Sequence, residues 1–278
     1  MSKKRVLFIT QEMLPYLEET EIAKTARNLP QGIQQKGKEI RTFMPKFGCI
    51  NERRNQLHEV IRLSGMNLII NDNDHPLIIK VASIQAARIQ VYFIDNEEYF
   101  GRKFGLSDKT GKEFEDNDER AIFYCRGVLE TVKKLGWAPD IIHCHGWMTG
   151  LVPLYIKKAF SEDPIFANAK VITSLYKSNF DEKLVDSFAY KAVLDGIDIE
   201  DVEGLKEATS QNVQKYAADW SDALIIGSKD LDKDVQAHID SLDKPILTDF
   251  DENNYIEEFD QFYDSILEDE TVETPKEV

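Results

Sequence analysis

Val6-Leu-Phe-Ile9 is a run of four apolar residues that gives way at once to Thr10-Gln11-Glu12 and, a little later, to Pro15. So short an apolar run, closed by polar residues and a proline, suits a strand buried on both faces of a parallel sheet and ending in a loop. Ile22, Ala26, Leu29 and Ile33 then recur at helical spacing, Gly37 stands where a helix C-cap belongs, and residues 40–44 form a second apolar-rich segment. Strand, helix and strand in that order make a βαβ unit.

Working outward from this unit, residues 68–70, 77–81 and 89–94 read as strands, with Asn71-Asp-Asn-Asp74 as a polar turn, so this stretch predicts an inserted, antiparallel β-hairpin region. Residues 119–135 restart the helical period with Ile122, Val128 and Val132 on one side, and Gly136 ends it. Asp140-Ile-Ile-His-Cys-His145 reads as a buried strand and 149–159 as a helix. Residues 171–175 and 223–226 read as further strands, with a helix around 213–218 between them. This alternation predicts a single doubly wound, Rossmann-like α/β domain over residues 1–249.

Composition sets the class. Of 278 residues, 42% are apolar and 30% charged, which excludes a disordered polymer, a fibre and a membrane bundle. The formal charge is −16, and from Asp249 onward twelve acids face the single Lys276, so that stretch carries −11 and the preceding body −5. Such an acidic balance argues against nucleic acid or an anionic membrane surface as partner. Cys49, Cys125 and Cys144 are odd in number and far apart with no CxxC pair, the usage of buried thiols in a reducing compartment. The apolar run near the N-terminus is too short for a signal-peptide core, and nothing approaches the roughly 20 apolar residues of a membrane span, so the expected location is the cytoplasm.

Residues 250–278 read as an acidic amphipathic helix and tail. Tyr255, Phe259, Phe262, Tyr263, Ile266 and Leu267 form a helical apolar stripe, ringed by Glu257, Glu258, Asp260 and Asp264. A solvated tail has no need of such a stripe, so the helix either docks on the body or binds a partner. Disorder is expected beyond about Glu268.

Several motifs then point to a family. Gln11-Glu-Met-Leu-Pro-Tyr16, Leu29-Pro30, Met44-Pro-Lys-Phe-Gly48, Asp95-Asn-Glu-Glu-Tyr-Phe100, Asp116-Asn-Asp-Glu-Arg120 and Pro139-Asp-Ile-Ile-His-Cys-His-Gly-Trp-Met-Thr-Gly150 follow one another along the chain. In order and spacing this resembles the N-terminal catalytic domain of bacterial glycogen and starch synthases, from Val6 to about Ser228. The resemblance implies half of a retaining glucosyltransferase made of two Rossmann-like domains. ADP-glucose would lie between them, an α-glucan would accept the glucose, and no metal or other cofactor is expected. The leaving diphosphate must be stabilised by cations, backbone N–H groups and a helix N-terminus.

The chain departs from the family pattern at the places that chemistry uses. Where the family carries Lys-x-Gly-Gly-Leu, this sequence has Glu18-Glu-Thr-Glu-Ile22, so Glu18 replaces the lysine, and Thr20 and Glu21 replace the glycines. Added carboxylates repel an anionic donor more strongly as water is excluded. In His143-Cys-His-Gly-Trp-Met148, Gly146 stands for an aspartate and Met148 for a histidine, and in Ser174-Leu-Tyr-Lys177, Tyr176 stands for another histidine. These six positions, Glu18, Thr20, Glu21, Gly146, Met148 and Tyr176, are the former donor site, and no catalytic residue is assigned. The second nucleotide-binding domain expected after Ser228 is replaced by the acidic tail, whose helix resembles the one that in such enzymes crosses back onto the first domain.

Other readings of these residues are weaker. His143 and His145 share a face of their strand, but no third ligand lies at a metal-site spacing, so packing explains them better. His145 and Trp147 could also line a sugar-sized crevice. Glu18, Glu19 and Glu21 fit a helix N-terminus as well as a cation site. No GxSxG, P-loop or GxGxxG is present. The sequence thus predicts a degenerate relative that does not transfer glucose alone and binds a glucan or a protein partner. The alternatives are a glucosyltransferase subunit completed by a separate second glycosyltransferase domain, with ADP-glucose as ligand, and a structural homodimer.

Overall fold

The computed structural model describes residues 3–177, 180, 183–251 and 253–268; the disorder expected beyond Glu268 lies outside the described residues. The strands are β1 (Arg5–Thr10), β2 (Glu39–Pro45), β3 (His58–Glu59), β4 (Met66–Ile70), β5 (Asn73–Ile84), β6 (Ile89–Asp95), β7 (Ile141–His145), β8 (Lys170–Leu175), β9 (Ala223–Ile226) and β10 (Ile246–Leu247). The α-helices are α1 (Glu21–Gln35), α2 (Glu52–Asn55), α3 (Glu97–Phe100), α4 (Asn117–Leu135), α5 (Val152–Lys157), α6 (Phe188–Lys191), α7 (Ser210–Trp220), α8 (Lys233–Ile239) and α9 (Tyr255–Glu268). One sheet runs β10-β9-β8-β7-β1-β2-β6-β5-β3, with β4 paired to β5. Pairing is parallel from β10 to β6 and antiparallel beyond it.

The predicted βαβ unit is β1-α1-β2, with Leu7 in register with Arg41. Asn71 and Asp72, at φ 49° and 61°, make the two-residue turn of the hairpin, a left-handed conformation that asparagine and aspartate tolerate best among non-glycine residues. The strand at 89–94, expected within the antiparallel region, instead pairs parallel with β2 as well as antiparallel with β5. Its Val91-Tyr-Phe-Ile94 core is buried throughout, as a strand inside a parallel sheet must be. The helix expected at 149–159 is shorter: a 3₁₀ turn (Trp147–Thr149) comes first, and α5 begins with Pro153 in its first turn. Cys125 and Cys144 are buried, but Cys49 is exposed.

The sheet is covered on both faces, by different means. Right-handed crossovers put helices on one face when the chain moves one way along the sheet and on the other when it reverses. The connections β6-α4-β7, β7-α5-β8, β8-α7-β9 and β9-α8-β10 all move one way, and Leu7, Ile9, Ile142, Cys144, Val171 and Leu224 turn toward those helices. The step β1-α1-β2 moves the other way, and the next step on that side, β2 to β6, runs through the hairpin instead of a crossover helix. The second face would therefore have α1 alone. It is completed by α9, whose Phe259, Tyr263 and Ile266 pack with Val6, Phe8, Leu29, Ile33, Ile141, Ile172 and Ile225. Gly32 of α1 lies so close to Ile256 that an added Cβ would meet its side chain at 2.4 Å. Lys38 pairs with Asp260 and Asp264 at 2.7 and 2.8 Å, and Lys36 pairs with Glu257, so the acids of α9 are matched to lysines of the body.

Candidate functional site

In an open α/β sheet, ligands bind outside the carboxyl ends of the strands where the direction of winding reverses. Here the reversal falls between β1 and β7. The Gln11 N–H donates to the carbonyl of His145 at 3.0 Å, extending the ladder one residue beyond the strands. The chain then turns at Gly146, with φ 87° and ψ 155°, a region essentially restricted to glycine. A Cβ at Gly146 would lie 2.8 Å from both Cβ and Oε1 of Gln11.

Gln11 is buried and starts a hydrogen-bonded path across the crevice. Its Oε1 accepts from the Met148 N–H at 3.4 Å and its Nε2 donates to Glu12 Oε1 at 2.8 Å. Glu12 Oε2 accepts from the Thr20 hydroxyl at 2.5 Å, and Thr20 Oγ1, the N-cap of α1, accepts from the Ala23 N–H at 3.0 Å. A carboxylate of the chain itself thus stands at the N-terminal end of α1, where the helix dipole favours negative charge. Glu18, Glu19 and Glu21 flank the cap in sequence, all exposed, and Glu19 pairs with Lys24 at 2.7 Å.

Deeper in the crevice, the His143 and His145 rings lie 3.9 Å apart and fully buried. His143 has both nitrogens engaged, Nδ1 with the Tyr263 hydroxyl at 2.6 Å and Nε2 with Ser174 Oγ at 2.7 Å. His145 Nδ1 meets the Tyr176 hydroxyl at 2.8 Å, while its Nε2 finds no partner among the described residues. Burial, and then the neighbouring His145, hold His143 well below the ordinary imidazole range, and burial pushes His145 down to about 3. Both rings are neutral near pH 7. Burial also raises the Tyr176 phenol, so it serves as a hydrogen-bonding hydroxyl. Its ring lies against Gly227, where a Cβ would approach Tyr176 Cε1 to 2.6 Å.

The residues singled out in the sequence divide among three places. Gly146, Trp147 and Tyr176 line a void of about 20 Å³ with Gln214, whose Oε1 accepts from the Tyr176 N–H at 3.1 Å. Thr20, Glu21 and Tyr176 line an open cleft of about 1220 Å³, bounded by the start of α1, the ends of β8 and β9, α8 and the start of α9. Met148 is buried in the larger core, and its carbonyl accepts from Cys125 Sγ at 3.1 Å. Glu18 lines neither space. Trp147 is buried against Phe180 at 4.8 Å, its Nε1 without a partner among the described residues. Gln11, Glu12, Ser174 and Tyr263 were not singled out. Glu12 belongs to the Gln11–Tyr16 motif beside the strand end, a signal that could have marked it; the Tyr263 contact has no sequence signal. Among the described residues, no group of three or more His, Cys, Asp or Glu could hold a metal ion.

A family model described as the starch synthase catalytic domain matches residues 5–245. The chain belongs to this family. Among curated proteins it is 38% identical over 173 residues to a glycogen synthase of Chlorobium limicola, covering 62% of this chain and 35% of that protein. It is 32% identical over 251 residues to a glycogen synthase of Chlorobium chlorochromatii, covering 84% of this chain and 51% of that one. It therefore spans about half, or less, of the length of these relatives. In structure it resembles the catalytic domain of Starch Synthase IV from Arabidopsis thaliana bound to ADP and acarbose, with a TM-score of 0.65 at 20% identity, over 81% of this chain and 45% of that one. No helix among the described residues is long and apolar enough to cross a membrane.

Two motifs of this starch synthase-type domain meet in space just beyond the end of β6. Asn96 caps α3, and the Tyr99 hydroxyl donates to Glu119 Oε2 at 3.0 Å and lies 2.9 Å from His75 Nε2. Lys191 joins Asp118 and Glu119 at 2.9 and 2.7 Å. Arg120, fully buried, donates to Asn117 Oδ1 and to the Gly105 carbonyl and lies over the Phe47, Phe100 and Phe114 rings. These residues tie the hairpin, α3, α4 and α6 together.

Proposed function

We propose that this starch synthase-type domain does not transfer glucose by itself and that it binds a neutral α-glucan in the open cleft. The observation that carries the reading is the path Gln11-Glu12-Thr20. The N-terminus of α1, which the resemblance assigns to the donor diphosphate, already has a carboxylate tied to its cap, and Glu18, Glu19 and Glu21 flank that cap in sequence. An anion brought there meets a carboxylate already in place, and the nearby Lys24 is paired with Glu19 at 2.7 Å. Glu18, Thr20, Glu21, Gly146, Met148 and Tyr176 are then positions of a lost donor site, and His145 and Trp147 support the crevice wall. In this reading the starch synthase-like unit spans residues 1–249, and the acidic helix and tail residues 250–278.

Calorimetric titration of ADP-glucose, with maltoheptaose already at saturation, tests this. No donor heat at several temperatures is expected, together with binding heat for maltoheptaose alone. Micromolar donor binding would overturn the reading. It would favour a second one, in which a nucleotide-binding domain supplied from outside these residues completes a working glucosyltransferase. That alternative draws support from the size of the cleft and from its position at the carboxyl ends of the strands. Light scattering at twice the chain mass without any ligand would instead favour a structural homodimer.

A further inference from the structure

One wall of the cleft is built from residues beyond position 245, where the family match stops. Phe250 follows β10 and Tyr255 opens α9; both rings are half-buried, 6.2 Å apart and inclined at 45°. Phe250 is braced edge-on by the buried Phe259 at 5.0 Å and 83°, so the wall is held by packing rather than left loose. Asn28 of α1 lines the cleft along with Tyr255 and brings an amide to the same lining as the aromatic surface. Gln236 of α8 adds a second amide to the lining. Charges of both signs share the rim, Glu21 and Asp240 with Lys229 and Lys233, so no single sign is on offer to a strongly ionised ligand.

A sugar ring presents flat C–H faces edged by hydroxyls, and it is matched by a fixed aromatic surface with planar amides beside it. We propose that Phe250 and Tyr255 form a stacking platform for a glucose unit of an α-glucan, with Asn28 and Gln236 bonding its hydroxyls. This rests on the glucan-binding reading above and adds to it a subsite outside the family-matched region.

The test titrates the full chain and its Phe250→Ala, Tyr255→Ala and Tyr255→Phe variants with maltoheptaose. Each alanine variant is expected to raise Kd about five- to tenfold, and Tyr255→Phe, which keeps the ring, about twofold or less. Hydrogen exchange of the unmodified chain is expected to slow around Phe250 and Tyr255 when the sugar binds, which decides the matter even if a variant does not fold. If the unmodified chain binds maltoheptaose while folded alanine variants bind equally well, or if protection falls on another part of the surface, the platform is overturned and the glucan reading stands. If the unmodified chain shows neither heat nor protection, the glucan reading falls, and the platform falls with it.

Discussion

On one face of the sheet the cover comes from α4, α5, α7 and α8, each a crossover between neighbouring or nearby strands. On the other, α1 is joined by a helix from residues 255–268, whose contacts on β1, β7, β8 and β9 are remote in sequence. The first face is covered by helices that follow their strands directly; the second is half covered without α9. Two buried aromatic residues make the contrast measurable. Phe123→Ala on the first face and Phe259→Ala on the second should each cost about 3–5 kcal/mol in urea unfolding, as deletions of fully buried rings do. The difference should appear in hydrogen exchange. Phe259→Ala should speed exchange first in β7, β8 and β9, where α9 is the cover, and Phe123→Ala should lower protection more evenly. A cost below about 1 kcal/mol for Phe259→Ala would mean that α9 is not part of the cooperative core.

A second effect, seated on the second face, comes from acid. His143 and His145 have folded-state pKa values below those of the unfolded chain, so the unfolded state binds more protons once the pH drops below about 6.5. Stability should therefore fall as pH falls, by about 1.4 kcal/mol per pH unit for each histidine, until the folded-state value is reached, which for His145 is about 3. Urea midpoints measured at pH 7, 6 and 5 check this, and His145→Gln should remove roughly half of the slope. A pH-independent midpoint would show that the rings are not sealed.

The smallest effect concerns the hydroxyl that links α9 to the strand. Tyr263→Phe leaves His143 Nδ1 buried without its partner and should cost about 1–3 kcal/mol, with little change in the burial of the ring. An unchanged urea midpoint would show that water replaces the hydroxyl.

The sequence shows the parts of each face more readily than their partners. The opening β1-α1-β2 unit is legible because the unbroken apolar run of β1 and the helical spacing of the apolar residues of α1 are both local signals. The apolar stripe of α9 is equally clear, but its target depends on which face the hairpin leaves uncovered, a property of topology and not of local pattern. For the same reason β6 reads as antiparallel until its pairing with β2 is seen, and β10, two residues long, leaves no periodic signal. At the crevice, Gly146 is visible as a substituted position. Its positive φ and its contact with Gln11 are not, because they arise where the ends of two strands remote in sequence come side by side. The Glu12–Thr20 hydrogen bond bridges eight residues around Pro15, a distance over which no side-chain periodicity operates.

The strands at the rim of the sheet have a consequence for crowding. The main path begins and ends on two-residue strands, β10 and β3, and on the longer β4 the Ile69 carbonyl accepts from the Arg126 guanidinium. A broad sheet with long open edges would template pairing with a neighbouring molecule and so invite aggregation. Short end strands and a capped carbonyl give a neighbouring molecule little ladder to extend, which is how a wide sheet is kept from pairing edge to edge.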